Sequence, residues 1–171
     1  MRVINVEIKA RCSGLDRIRG ILGARRAEFR GRDRQVDTYF KSPAGRLKLR
    51  EGDIENNLIW YERSGQKGPR ASHCILYPSG KDPALKEILS SSLGIRVVVE
   101  KIREIYYLGN IKVHLDSLEG LGTFVEIEAQ GIEGEQNEAR LHEQCSGLMR
   151  DFGINSSDLY AGSYADLITG E

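Results

Sequence analysis

Apolar and ionic residues alternate one for one along stretch after stretch of this chain. Residues 2–11 do so, and period-two runs recur near 24–31, 34–41, 46–51, 57–63, 71–77, 95–104, 105–108, 111–117 and 123–130. Side chains at i and i+2 of a strand share a face, so each run predicts a strand with an aliphatic side and a polar side. Turns are marked by Gly31, by Ser42-Pro43-Ala44-Gly45, by Gly109-Asn110 and by Glu119-Gly120-Leu121-Gly122. So many consecutive strands with short turns predict an antiparallel β-barrel.

Helical spacing replaces the alternation in a few places. Residues 14–23 put Leu15, Ile18, Ile21 and Leu22 on one face after Ser13 as N-cap. Residues 83–93 open on Asp82-Pro83 and stop at Gly94, and 135–152 align Leu141, Cys145, Leu148, Met149 and Phe152 before Gly153. A short fourth helix is expected at 163–169, and 64–70 reads as a polar loop. The stretches from Leu22-Gly23 and from Leu93-Gly94 echo one another, each running through strands and a glycine turn. The expectation is one α+β domain over residues 1–171, two similar halves of a single barrel with helices packed outside.

Composition narrows the partners. Lys+Arg and Asp+Glu are 25 each, which excludes a generally basic nucleic-acid binder. The first residues have no signal-peptide core and no 18 apolar residues run together, so a cytoplasmic protein without membrane contact is expected. Cys12, Cys74 and Cys145 are widely spaced and read as small buried hydrophobes.

The charged faces are the informative ones. Asn5, Glu7 and Lys9 share a face, as do Arg46, Lys48 and Arg50, then Lys101 and Arg103, then Lys112, His114 and Asp116, then Glu126 and Glu128; Arg63 follows Tyr61. An exposed face mixes signs and uses Thr, Ser and Gln, whereas like charges roughly 6–7 Å apart repel unless an anion compensates them. Three amphipathic helices also need aliphatic surface to cover. If they take the aliphatic sides, the charged sides line a wet lumen. Its basic walls would be Lys9, Arg46, Lys48, Arg50, Arg63, Lys101 and Arg103, and its carboxylates Glu7, Asp116, Glu126 and Glu128. Arg and Lys grip phosphate oxygens, and carboxylates beside phosphate call for Mg²⁺ or Mn²⁺ between them. A metal-bound polyphosphate is therefore predicted, without P-loop chemistry, because no Walker A motif occurs.

The stretches VEIKA (6–10), QVDTYF (35–40), GRLKLRE (45–51), WYERS (60–64), EKIREIY (100–106), VHLDSLEGLGTFVEIE (113–128) and GSYADLI (162–168) together resemble the CYTH superfamily, the triphosphate tunnel metalloenzymes. QVDTYF, GRLKLRE and the EGLG turn are most similar to its class IV adenylyl cyclase branch. The resemblance implies an eight-stranded antiparallel tunnel. It implies Glu7, Glu126 and Glu128 as metal ligands with Asp116 close by, and Lys9 and Arg50 as catalytic residues. Arg46, Lys48, Arg50, Arg63, Lys101 and Arg103 would bind phosphates. The implied substrate is ATP, thiamine triphosphate or tripolyphosphate, with cyclisation of ATP to cyclic AMP and pyrophosphate ahead of triphosphate hydrolysis. A binding module without turnover is the other alternative, because the family signature Glu-x-Glu-x-Lys reads Asn5-Val6-Glu7-Ile8-Lys9 here.

Several residues carry weaker readings. His114 reads as lumen wall ahead of metal ligand or base. Arg11 and Lys112, near strand ends, read as exposed, as do His73 and His142. Trp60 reads as external packing, and Asp37 and Tyr39 as either lumen or structural. A homodimer through an open sheet edge or the C-terminal helix is also allowed.

Overall fold

The computed structural model describes residues 2–63, 65, 67–132 and 138–170, and the side chains of all of these but 2, 3 and 63. The strands are β1 (Arg2–Arg11), β2 (Glu28–Phe40), β3 (Arg46–Glu51), β4 (Asn57–Arg63), β5 (Arg70–Pro78), β6 (Ile95–Leu108), β7 (Ile111–Leu118) and β8 (Gly122–Ile132). They close into a barrel in the order β1-β5-β4-β3-β2-β6-β7-β8, with antiparallel pairing throughout. The helices are α1 (Leu15–Ala24), α2 (Pro83–Leu93), α3 (Glu138–Asp151) and α4 (Tyr164–Thr169). None among the described residues is long and apolar enough to cross a membrane.

Alternation located the strands but not all of their breaks. The runs 24–31 and 34–41 belong to the single strand β2, and 95–104 and 105–108 to β6. Gly31, expected as a turn, is a bulge: pairing steps from Phe29 opposite Tyr106 to Gly31 opposite Ile105. Its φ of 135° favours glycine, and a Cβ there would lie 2.8 Å from Ile54 Cδ1. The closed ring pairs β1 with β8, so the described strands leave no open edge of the kind expected as a dimer route.

Two helices carry most of the outer packing. Val6 and Ile8 of β1, Val113 and Leu115 of β7, and Val125 and Ile127 of β8 are buried beneath Leu15, Ile18 and Leu22 of α1 and Leu141, Cys145, Leu148 and Phe152 of α3. Each such aliphatic side chain stabilises by about 1.5–3 kcal/mol relative to exposure. The third helix departs from expectation. α2 is well started, with Asp82 Oδ1 accepting from the Ala84 amide at 2.9 Å, yet none of its residues is buried. The N-cap of α1 is Gly14 with no side-chain hydrogen bond, not Ser13.

A second apolar cluster lies inside the ring. Tyr39, Ile59, Tyr61, Val99, Phe124 and Tyr164 pack together, mostly from strand ends that meet on one side of the barrel. Tyr164 of α4 sets its ring edge-on to Phe124 at 5.1 Å. α4 is held by its capping box between Ser163 and Asp166 and by Arg46 Nη1, 2.8 Å from Asp166 Oδ1. The C-terminal segment therefore caps one end of the bore, which is ionic over the rest of its length.

Candidate functional site

The polar strand faces turn inward. They line a cavity of about 140 Å³ whose wall includes Asn5, Glu7 and Lys9 from β1, Lys48 and Arg50 from β3, Lys101 and Arg103 from β6, and Glu126 and Glu128 from β8. The inverted amphipathicity follows from α1 and α3 taking the aliphatic sides, which leaves the ionic ones no other place.

Three ion-pair groups organise the bore. The first centres on Asp37, 1% exposed. Arg50 reaches both its oxygens at 2.8 and 2.9 Å, Lys48 approaches at 2.9 Å and Lys101 at 2.8 Å. Register explains the contact, since Asp37 stands opposite Arg50 in the β2–β3 ladder. Burial alone would raise the Asp37 carboxyl, but Arg50, Lys101 and Lys48 hold it well below the usual range. Lys101 is pushed down to about 7, by burial first, then by Arg50, Arg103 and Lys48 against the opposing pull of Asp37.

The second group centres on Arg103. It binds Asp116 through two bonds of 2.7 and 2.5 Å and Glu126 Oε2 at 2.7 Å. Glu126 also meets Lys9 Nζ at 2.5 Å, and Tyr164 donates its hydroxyl to Asp116 at 2.7 Å. Lys9 sits 3.4 Å from the centroid of the Tyr164 ring, a cation–π contact. Burial opposes ionisation of Glu126, yet Arg103 and Lys9 hold it well below the usual range.

The third group comes from the β3–β4 connection. Glu55 meets Arg50 Nη1 at 2.9 Å, Gln35 Nε2 at 3.0 Å and Lys112 Nζ more closely still. Asp33, fully buried in β2, accepts from the amides of Ile54 at 2.9 Å and Glu55 at 3.1 Å, which folds loop 52–56 over the bore. Gly52 passes so near that a Cβ would lie 2.7 Å from the Asp33 carboxylate.

A hard cation has a place beside these groups. His114, Glu126 and Glu128 offer ligand atoms all within 4.8 Å of one another. His114 is 1% exposed, its Nδ1 lies 3.3 Å from Glu126 and 3.6 Å from Glu128, and its Nε2 has no hydrogen-bond partner. Burial and then Arg103 lower its pKa, which favours the neutral, ligating imidazole. Two carboxylates and an imidazole suit a divalent ion that takes its remaining ligands from water or phosphate.

Not every expected residue joins this site in the way alternation suggests. Asp116 is buried with both oxygens engaged by Arg103 and Tyr164, and it shares Arg103 Nη2 with Glu126 of the acidic–imidazole trio, close by as expected but already saturated. Glu7 stands opposite Glu128 in the β1–β8 ladder and lies 3.6 Å from Arg70 Nε. Arg46 shares the face of Lys48 but stays at the α4 end, bound to Ser163 and Asp166. Arg63 ends β4 opposite Ser72, and its side chain lies outside the described ones. Lys112, expected to be exposed, lines the cavity at 9% exposure. Arg11 is exposed, and Trp60 packs outside the bore with its indole N–H donating to Ala44 O at 3.1 Å. The Asp37 parity with Gln35 and Tyr39 was a readable signal for a lumen position; Glu55 had none, lying in a loop without period. Cys74 and Cys145 are pushed up by burial to about 11 and about 12, so both stay as thiols at neutral pH.

A closed antiparallel barrel, ionic within and helix-covered without, defines the class to which the chain belongs: the CYTH domain model matches residues 3–164, and the chain is a member of that family. The adenylate cyclase CyaB of Aeromonas hydrophila is 30% identical across 95% of this chain and 87% of its own length. Among solved structures, a conserved hypothetical protein of Pyrococcus furiosus superposes with a TM-score of 0.77 at 20% identity, covering 95% of this chain and 99% of that one. The Hippeastrum protein HpAC1, described as having a dominant triphosphatase activity, superposes with a TM-score of 0.55 at 14% identity over 99% of this chain and 96% of its own.

Proposed function

We propose that this protein is a divalent-metal-dependent enzyme acting on a triphosphate, and that it converts ATP to cyclic AMP and pyrophosphate. The observation that carries the reading is the meeting, in one bore, of the Lys48, Arg50, Lys101 and Arg103 cations with the His114, Glu126 and Glu128 trio. The 30% identity to a protein named adenylate cyclase supports the cyclising form of the reaction.

In this reading Lys48, Arg50, Lys101 and Arg103 bind the phosphate chain, with Arg46 and Arg63 as further phosphate-binding residues, and Lys9 and Arg50 meet charge as it develops. The reaction is displacement at phosphorus, where fixed cations lower the barrier because they need no reorganisation. Glu126, Glu128 and His114, with Glu7 beside them, would hold Mg²⁺ or Mn²⁺, the imidazole favouring Mn²⁺, and the ion would supply charge neutralisation. The ribose 3′-hydroxyl attacks the α-phosphorus and gives its proton to water, the bond from the α-phosphorus to the bridging oxygen breaks, and pyrophosphate departs against the cationic wall.

Hydrolysis of ATP, thiamine triphosphate or tripolyphosphate is the second reading. It is favoured by the similarity in fold to HpAC1, described as having a dominant triphosphatase activity, since the same bore cations would serve either reaction. Incubation with ATP and Mn²⁺ separates the two. Cyclic AMP with pyrophosphate is expected, and orthophosphate as sole product would replace cyclisation by hydrolysis. Glu126→Gln should abolish either activity; unchanged turnover would remove the metal assignment.

A further inference from the structure

The capped end of the bore holds a closed circuit of contacts. Tyr164 donates its hydroxyl to Asp116 Oδ2 at 2.7 Å, and Arg103 grips the same carboxylate at 2.7 and 2.5 Å. Arg103 Nη2 continues to Glu126 Oε2 at 2.7 Å, and Glu126 Oε1 meets Lys9 Nζ at 2.5 Å. Lys9 then returns to the face of the Tyr164 ring, 3.4 Å from its centroid. Ladder register explains two of these pairs, since Arg103 stands opposite Asp116 and Lys9 opposite Glu126. Tyr164 is the one member that no strand carries, and both ends of the circuit close on it.

Its place is fixed by the chain on either side of it. Leu159 bridges Ala10, and the Tyr160 amide donates to Lys9 O at 2.9 Å. Buried Arg70 donates to Ala161 O at 2.5 Å, and Arg46 donates to Ser163 Oγ at 2.6 Å and to Asp166 Oδ1 at 2.8 Å. Closing the barrel end requires only bulk, which the ring supplies edge-on to Phe124 and which phenylalanine would supply equally. The hydroxyl meets instead a fully buried carboxylate, and the ring face lies against an ammonium. A lysine stem loses its freedom when the ammonium rests on an aromatic face, and a guanidinium is held more firmly when its carboxylate is itself anchored. Cations so preorganised need no rearrangement as negative charge grows on phosphate oxygens.

We propose that Tyr164 is a positioning residue for the reaction: its ring fixes Lys9, and its hydroxyl, through Asp116, fixes Arg103. In this view α4 completes the reaction site as well as closing the bore, and Arg46 and Arg70 serve the site through the segment they hold. The inference rests on the triphosphate reading and holds for cyclisation and hydrolysis alike.

Steady-state turnover of ATP and of tripolyphosphate in Mn²⁺, with every phosphorus product counted, tests the proposal on two variants. Tyr164→Phe keeps the ring and removes the hydroxyl. It should raise KM about three- to tenfold and leave kcat near the wild-type value, because Arg103 binds the phosphate chain. Tyr164→Leu removes both contacts and should also lower kcat about tenfold, because Lys9 meets the developing charge. A residue that only fills space would leave the phenylalanine variant with wild-type KM, or the leucine variant with wild-type kcat, and either result overturns the proposal. NMR of the lysine ε-methylene protons, with Lys9→Arg to assign the signal, reads the ring contact without substrate. The Lys9 signal should lie upfield of the other lysines in the wild type and in Tyr164→Phe, and lose that displacement in Tyr164→Leu. An ordinary Lys9 position in the wild type overturns the proposal, and this readout stands even if the leucine variant does not fold. Wild-type protein that turns over neither substrate removes the triphosphate reading and the proposal together, whereas an active wild type with unmoved KM in Tyr164→Phe removes the proposal alone.

Discussion

Asp37 is where the charge of the bore is most concentrated, with four bonds from three cations onto one carboxylate. Removing one partner from a buried ionic cluster costs about 3–5 kcal/mol, because the other charges are left uncompensated. Asp37→Asn should therefore lower the thermal midpoint markedly, and tripolyphosphate should restore more of it than it adds to the wild type. A second expectation concerns Lys101, whose value falls from the ordinary 10.5 to about 7. Between those values the unfolded chain holds a proton that the folded chain does not, so this group makes stability rise with pH from about 7 upward. A bound polyanion reverses the shift. Binding near pH 8 should take up close to one proton, measured by calorimetry in buffers of different ionisation enthalpy, and Lys101→Met should abolish that uptake. Lys9, Lys48, Arg50, Lys101 and Arg103 were legible as one inward set from alternation together with the helices' need for aliphatic surface. Asp37 was only half legible, because parity gives its face and not its partners. Glu55 was illegible, because its position depends on backbone bonds to Asp33 that only the closed barrel brings about.

At the level of elements, α1, α3 and α4 do different work from α2. α3 buries Leu141 and Cys145 completely against β1 and β8, while Ile88 of α2 is 61% exposed. Leu141→Ala should cost about 2–5 kcal/mol in denaturant unfolding, and Ile88→Ser should fall within about 0.5 kcal/mol of wild type. Helical periodicity marks an apolar stripe on both, and it cannot say how deep the matching groove is. For α3 the groove is lined by Ile8, Ala10 and Ile127; for α2 the neighbouring wall stays open, with Val98 41% exposed. The same limit explains β2. Gly31 reads as a chain reversal because glycine and a polar run usually end a strand, whereas here it bends a long strand so that the ring can close.

For the molecule as a whole, the bore is close to electrically balanced. Lys9, Lys48, Arg50, Lys101, Arg103 and Lys112 face Glu7, Asp37, Glu55, Glu126 and Glu128, with Asp116 directly behind Arg103. A lumen so balanced attracts a tetra-anion weakly until divalent cations join it. Stripping metal with EDTA should lower tripolyphosphate affinity by about tenfold or more, read by calorimetry; undiminished affinity would mean that the fixed cations suffice. Loop 52–56 adds one more consequence. Glu55 already occupies Arg50 and Lys112, so the protein carries its own tethered rival for those two donors, and every polyanion that takes them must first win an internal contest. Measured affinities are the residue of that contest. Disarming the rival with Glu55→Gln should tighten tripolyphosphate binding about tenfold, the gain appearing in the association rate, while hydrogen exchange at Ile54 and Glu55 should quicken in the wild type once ligand is added.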